Sequence, residues 1–283
     1  MSRITTGLPL VYRPDKAHVW VEDMLTAQYL QELWQDAGIV FHVGGGNQTI
    51  KAVTHDAAAE GLRNVLGMVD RDFGDTNFVQ WTNPASGASV MILPGHELEN
   101  YLLDEDALAG CALNNQRRTV ADVAAYTRNT ASLCEWQVAA AQVIASWRDT
   151  FQADFPSHPS RVAAHDQPST LALLLLLPWY VAAVTRANAI TAPGEPAAAL
   201  AAAHANVTAW LSSADWKSRF PGKQIFRDVR GYIYDPAAFG APSTGIQPDI
   251  DVAVAVAIWQ RSNGRVPTEL QTLHAVIHAK AGV

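Results

Sequence analysis

The first hundred residues switch repeatedly between two hydrophobic periods, and this alternation constrains the fold more than any other feature of the chain. Short apolar runs at Ala17–Glu22, Ile39–Val43, Val65–Val69 and Ser89–Leu93 have the length of buried strands. Between the first two, Met24–Asp36 spaces Leu25, Tyr29 and Leu33 along one face of a helix, and Gly38 ends it. Gly44-Gly45-Gly46 turns the chain after the second run, and Asn47 is the expected N-cap of a helix reaching about Gly61. Strands alternating with helices predict an α/β fold, a mainly parallel sheet flanked by helices. In such sheets the working residues gather outside the carboxyl ends of the strands.

From about Glu97 the pattern becomes helical. Glu97–Leu103 starts a helix, and Val120–Trp147, Ala197–Trp210 and Val252–Arg261 carry helical spacing, with loops at Asn188–Pro196 and Asp235–Pro248. The expected division is therefore 1–115 as the sheet domain and 116–283 as a mainly helical region containing a basic segment at 216–230. The uncharged stretch Gln167–Thr185 approaches the roughly 20 residues of a membrane span. Pro168 and Pro178 interrupt it, so a buried helix and no membrane association are expected.

Acids stand at the ends of three of the four runs. Glu22 closes the first, Asp70 and Asp72 close the third as Val69-Asp70-Arg71-Asp72, and Glu97 and Glu99 follow the fourth. Carboxylates gathered at one sheet edge repel one another, and a hard divalent cation relieves that repulsion. An Asp-x-Asp after a strand is also an ordinary polar strand end, and the triple glycine also serves as a plain sharp turn. It is the recurrence at several strand ends that favours a site. Glu97 is preferred to Glu99 as a further ligand because it lies nearer the fourth strand, leaving Glu99 as a helix-start residue. Asp23 either adds a ligand or caps the following helix.

Positive charge is concentrated elsewhere. The formal net charge is −7, which excludes a protein coated in basic residues, so a nucleic-acid partner requires a local patch. Trp216–Arg230 supplies one: Lys217, Arg219, Lys223, Arg227 and Arg230 stand against Asp228, with aromatics interleaved. Lys223, after Pro221-Gly222, is the best placed to reach a scissile phosphate; the alternative is a solvated helix face and loop. No Gly-x-x-x-x-Gly-Lys-(Ser/Thr) occurs, so ATP hydrolysis by the chain itself is not expected. Cys111 and Cys134 form no CxxC pair, and Met1–Thr6 lacks the long apolar core of a signal peptide; a cytoplasmic location is expected. His274 and His278, four apart, are expected to pack or to lie on the surface. His96 either packs or orients an acid.

Taken together, Val21-Glu22, Val43-Gly44-Gly45-Gly46-Asn47, Val69-Asp70-Arg71-Asp72 and His96-Glu97-Leu98-Glu99-Asn100-Tyr101-Leu102 resemble the Toprim fold of topoisomerases, bacterial primases and OLD-family nucleases. Trp216…Phe220-Pro221-Gly222-Lys223 and Asn263–Leu270 extend the likeness over most of the chain. It is similar above all to the Toprim nucleases found beside ABC-type ATPases in anti-phage defence, including the nuclease subunit of PARIS systems. One departure is Glu22-Asp23-Met24, where many Toprim proteins have Glu-Gly-(Lys or Glu). The resemblance implies an endonuclease of RNA or DNA, with Mg²⁺ or Mn²⁺ held by Glu22, Asp70 and Asp72, to which Glu97 is added by its place after the fourth run. It also implies an ATPase partner and a homodimer. The opposing expectation is a Toprim-like module that binds nucleic acid or an ATPase without chemistry.

Overall fold

The computed structural model describes residues 12–71, 89–151, 166–187, 194–240 and 245–283. Four parallel strands, β1 (Ala17–Val21), β2 (Ile39–Val43), β3 (Val65–Val69) and β4 (Val90–Ile92), form one sheet in the order β2-β1-β3-β4. Helix α1 (Met24–Trp34) links β1 to β2 and α2 (Asn47–Ala59) links β2 to β3. The α/β architecture expected from the alternating periods is the one observed.

Side chains on β3 explain its continuous apolar run: all five residues are buried, as in a strand covered on both faces. Leu66 and Met68 join the main core with Val19, Val21 and Leu30, whereas Val65 packs with Tyr12 and Ala57 on the other face. Gly67 is required on that second face, because an added Cβ would lie 2.5 Å from Ile50 Cγ2 of α2. The main core also takes in Val252, Ala253 and Val256, from a late helix, α10 (Gln247–Ser262). There Tyr29 Oη donates to Gln260 Oε1 at 2.8 Å, and Gln260 Nε2 donates to Tyr101 O at 3.2 Å, bonds that span 231 and 159 positions of the chain.

The remaining described elements are helical. A 3₁₀ turn (Leu98–Leu102) precedes α3 (Glu105–Gly110), α4 (Val120–Leu133), α5 (Glu135–Phe151), α6 (Gln167–Leu176), α7 (Pro178–Ala187) and α8 (Glu195–Leu211). A second 3₁₀ turn (Trp216–Arg219) leads into α9 (Gly222–Ile233); a third (Pro236–Phe239) precedes α10, and α11 (Thr268–Ala281) follows.

Several expectations are corrected. Asn47 is the first residue of α2 and not its cap: Gly46 holds the cap position, and its backbone carbonyl accepts from Ile50 N–H. Val120–Trp147 is two helices parted at Cys134. The stretch Gln167–Thr185 is not one buried helix. Leu177 leaves helical geometry (ψ 130°) because Pro178 disfavours the α-region for the residue before it, and Leu173, Leu175, Leu176 and Val181 are exposed. Among the described residues no helix is long and apolar enough to cross a membrane.

Candidate functional site

The strand order places the reversal of winding between β1 and β3, since β2 lies on one side of β1 and β3 on the other. Open α/β sheets form their crevice at such a switch point, beyond the carboxyl ends of the strands. Glu22 follows β1 there and Asp70 follows β3. Asp70 N–H donates to Glu22 Oε1 at 3.3 Å. The turn after β2 closes the same edge, with Gly45 N–H donating to Glu22 O at 3.1 Å. Gly45 has φ 78°, and a Cβ on Gly44 would meet Ile50 Cγ1 at 2.8 Å, so both glycines have conformational or packing reasons of their own. Asp72 lies outside the described residues.

The fourth strand delivers the other acids. Leu98 N–H donates to Asp70 Oδ1 at 3.1 Å, which brings the 3₁₀ turn directly onto the end of β3. Glu97 N–H is held by Asn100 Oδ1 at 2.6 Å, and Asn100 Nδ2 donates to the carbonyls of Lys217 and Phe220 at 2.6 and 2.8 Å. Gly222 then packs against Asn100 so closely that a Cβ would stand 2.6 Å from the Asn100 backbone nitrogen. This contact aims the start of α9 at the acids: Lys223 N–H donates to Glu97 Oε2 at 2.6 Å. Carboxylate at a helix N-terminus is favoured by the unpaired N–H groups and the helix dipole. His96 acts as a clip, its Nδ1–H donating to Arg71 O at 2.7 Å while its own backbone N–H reaches Ser218 O at 3.0 Å.

Lys223 Nζ lies 3.5 Å from Asp23 Oδ2 and 3.7 Å from Glu99 Oε1. Of its two expected alternatives Asp23 takes the cap, its Oδ1 accepting from Thr26 N–H at 2.9 Å. Burial, followed by the charges of Glu99, Glu22 and Glu97, pushes the Asp70 carboxyl well above the ordinary range, against the opposing pull of Lys223. Glu99 is almost wholly buried, and this burial raises it to about 7 despite the lysine. Burial opposes the Lys223 charge, but Glu99, Asp23, Asp70 and Glu97 outweigh it and hold the ammonium above its usual value.

The structure thus gathers Glu22, Asp70, Glu97 and Lys223 at one edge, and adds Glu99 and Asp23. Glu99 was discernible as the one charge in the apolar stretch Leu98–Leu103. An all-oxygen set with excess negative charge suits Mg²⁺ or Mn²⁺. Burial first, and then the charges of Glu99, Glu22 and Glu97, disfavour the ionised Asp70 carboxyl, and Lys223 offsets only part of this.

The other cations of the basic segment have protein partners. Lys217 is paired with Glu105 and also donates to Leu103 O at 2.6 Å. Arg219 meets Asp215 at 2.8 Å, and Arg227 and Arg230 share the buried Asp249 at 3.3 and 2.9 Å. Far from the acids, Asp36 joins the two late histidines. Comparison with protein-family models and with curated proteins finds no match to this chain.

Proposed function

We propose that the protein is a metal-dependent phosphodiesterase of Toprim type that cleaves RNA or DNA. The observation that carries this reading is the convergence of Glu22, Asp70 and Glu97 at the switch point of the sheet, where Asp70 N–H meets Glu22 Oε1, Leu98 N–H meets Asp70 Oδ1 and Lys223 N–H meets Glu97 Oε2. Glu22, Asp70 and Glu97, with Asp72 from the adjoining sequence, would hold Mg²⁺ or Mn²⁺, which when bound would supply Lewis-acid chemistry to a phosphodiester. Glu22 and Glu97 would position that ion from either side of Asp70. Glu99, titrating near pH 7, is suited to hold or pass a proton at its Oε atoms. Lys223 brings positive charge to a non-bridging phosphate oxygen, while its backbone N–H fixes Glu97. The likeness to defence nucleases extends the proposal to an ABC-type ATPase partner and to self-association.

A second reading, a binding module without chemistry, is favoured by Lys223 standing among the acids as an internal counter-charge. Purified protein incubated with single- and double-stranded RNA and DNA, with and without Mg²⁺ or Mn²⁺, separates the two. Metal-dependent cleavage that disappears in Asp70→Asn and Glu22→Gln supports the phosphodiesterase. Metal-independent binding without cleavage, unchanged in those variants, supports the module.

A further inference from the structure

We infer that Asp36, His274 and His278 form a binding site for Zn²⁺ or a similar borderline transition-metal ion, separate from the acids at the strand ends. His274 Nε2 and His278 Nε2 lie 2.7 and 2.6 Å from the same oxygen, Asp36 Oδ2. All three ligand atoms fall within 4.8 Å of one another. Two imidazoles and one carboxylate are a donor set for Zn²⁺ rather than for Mg²⁺, which prefers oxygen alone.

Each ligand is already oriented by a second contact. Asp36 Oδ1 accepts Gly38 N–H at 2.7 Å, which turns Oδ2 towards the histidines. His278 Nδ1–H donates to Val283 O at 3.1 Å while Nε2–H donates to Asp36 Oδ2 at 2.6 Å, so a bound ion would take the place of the Nε2 proton with the ring already oriented. A carbonyl on the far nitrogen is the usual outer partner of a metal-bound histidine. His274 is seated by the Trp34 ring, with centroids 4.9 Å apart. The histidines are one helical turn apart on α11, and Gln35 in the left-handed conformation (φ 46°) swings Asp36 off the end of α1 to meet them. The side chains keep 22–32% exposure, leaving an entry path and room for a water as fourth ligand.

Asp36 precedes β2, whereas the acids follow β1 and β3; in a parallel sheet these are opposite edges. A bound ion here pins α11 to the corner between α1 and β2, and this role stands whether or not the strand-end acids cleave phosphodiesters.

The test is titration of the metal-stripped full-length chain with Co²⁺, then Zn²⁺, alongside thermal unfolding. The expected result is one equivalent of Co²⁺ with the intense visible absorption of four-coordinate cobalt, displaced by Zn²⁺, and a Zn²⁺-dependent rise in Tm. Asp36→Asn and His278→Gln weaken Zn²⁺ binding by at least about tenfold, since even an outer-shell loss costs that much. Asp70→Asn leaves it intact. Absence of the cobalt spectrum and of the Tm rise in the wild-type chain overturns the site. So does a full equivalent retained in folded Asp36→Asn and His278→Gln protein, or binding abolished in Asp70→Asn alone.

Discussion

Lys223 donates its backbone N–H to Glu97 Oε2 over 2.6 Å, so the first turn of α9 is docked on a carboxylate 126 residues earlier in the chain. The same residue sends its side chain to Asp23 and Glu99. One lysine therefore addresses the acids twice, through a fixed amide and through an ammonium on a flexible stem, and only the second disappears on substitution.

Lys223→Met is expected to lower stability by about 1 kcal/mol at pH 8, a modest value because the lysine side chain is 40% exposed and its pairs are partly screened. At pH 6 the loss shrinks, because Glu99, titrating near 7, is then largely neutral and needs no counter-charge. Denaturant unfolding at the two pH values measures the difference. An equal loss at both would show that the lysine acts through packing alone.

Glu99 makes a signed prediction. Its folded pKa of about 7 stands above the ordinary 4.5, so the folded state binds more protons between those values. Its contribution is greatest below the unfolded pKa and is lost as pH rises through about 7. Glu99→Gln removes that dependence, and its stability relative to wild type should rise by up to about 3 kcal/mol between pH 4 and 8. Parallel pH–stability curves for the two proteins would contradict the burial of a titrating Glu99.

The strands were legible because each is a short apolar run bounded by polar residues, and β3, covered on both faces, reads as apolar throughout. Glu22 and Asp70 were legible for the same reason: a charge at the end of such a run has nowhere to go but the sheet edge. Hydrophobicity said less about Leu171–Leu177, because exposure there depends on which neighbours cover α6. The basic segment looked free for a related reason: Glu105 lies 112 residues before Lys217, and Asp249 19 residues beyond Arg230. Asp36 and the two histidines, 238 and 242 positions apart, come together only once α11 packs beside the end of α1.

Gly222→Ala should disrupt the docking of α9. Alanine favours a helix, by up to about 1 kcal/mol over glycine, but the new methyl would meet the Asn100 backbone nitrogen at 2.6 Å, and backbone cannot swing aside. Overpacking of this kind costs about 1–3 kcal/mol, so the clash wins. A lowered unfolding midpoint is expected, as the start of α9 shifts away from Glu97. A midpoint equal to or above wild type would mean that the two backbones part without cost.

Arg227 and Arg230 share one buried carboxylate but stand in different surroundings, and their alanine variants should separate stability from binding. The Arg230 side chain is 16% exposed and its Nε lies 2.9 Å from Asp249 Oδ1; the Asp249 side chain is 5% exposed. Removing Arg230 leaves a buried carboxylate with only the longer Arg227 pairing, and breaking a buried pair costs about 3 kcal/mol or more when no partner remains. Because Arg227 remains, about 2 kcal/mol is expected, read as a lowered denaturant midpoint. Arg227 is 56% exposed and meets Asp249 at 3.3 Å, so its substitution should cost well under about 1 kcal/mol. If the segment tracks a phosphate backbone, Arg227→Ala weakens binding and makes the dependence of log K on log salt shallower by about one unit for each phosphate the arginine had neutralised. Fluorescence anisotropy with a labelled oligonucleotide at several salt concentrations reads that slope. An unchanged slope in Arg227→Ala would remove α9 from the nucleic-acid surface and leave its arginines as a structural brace for Asp249.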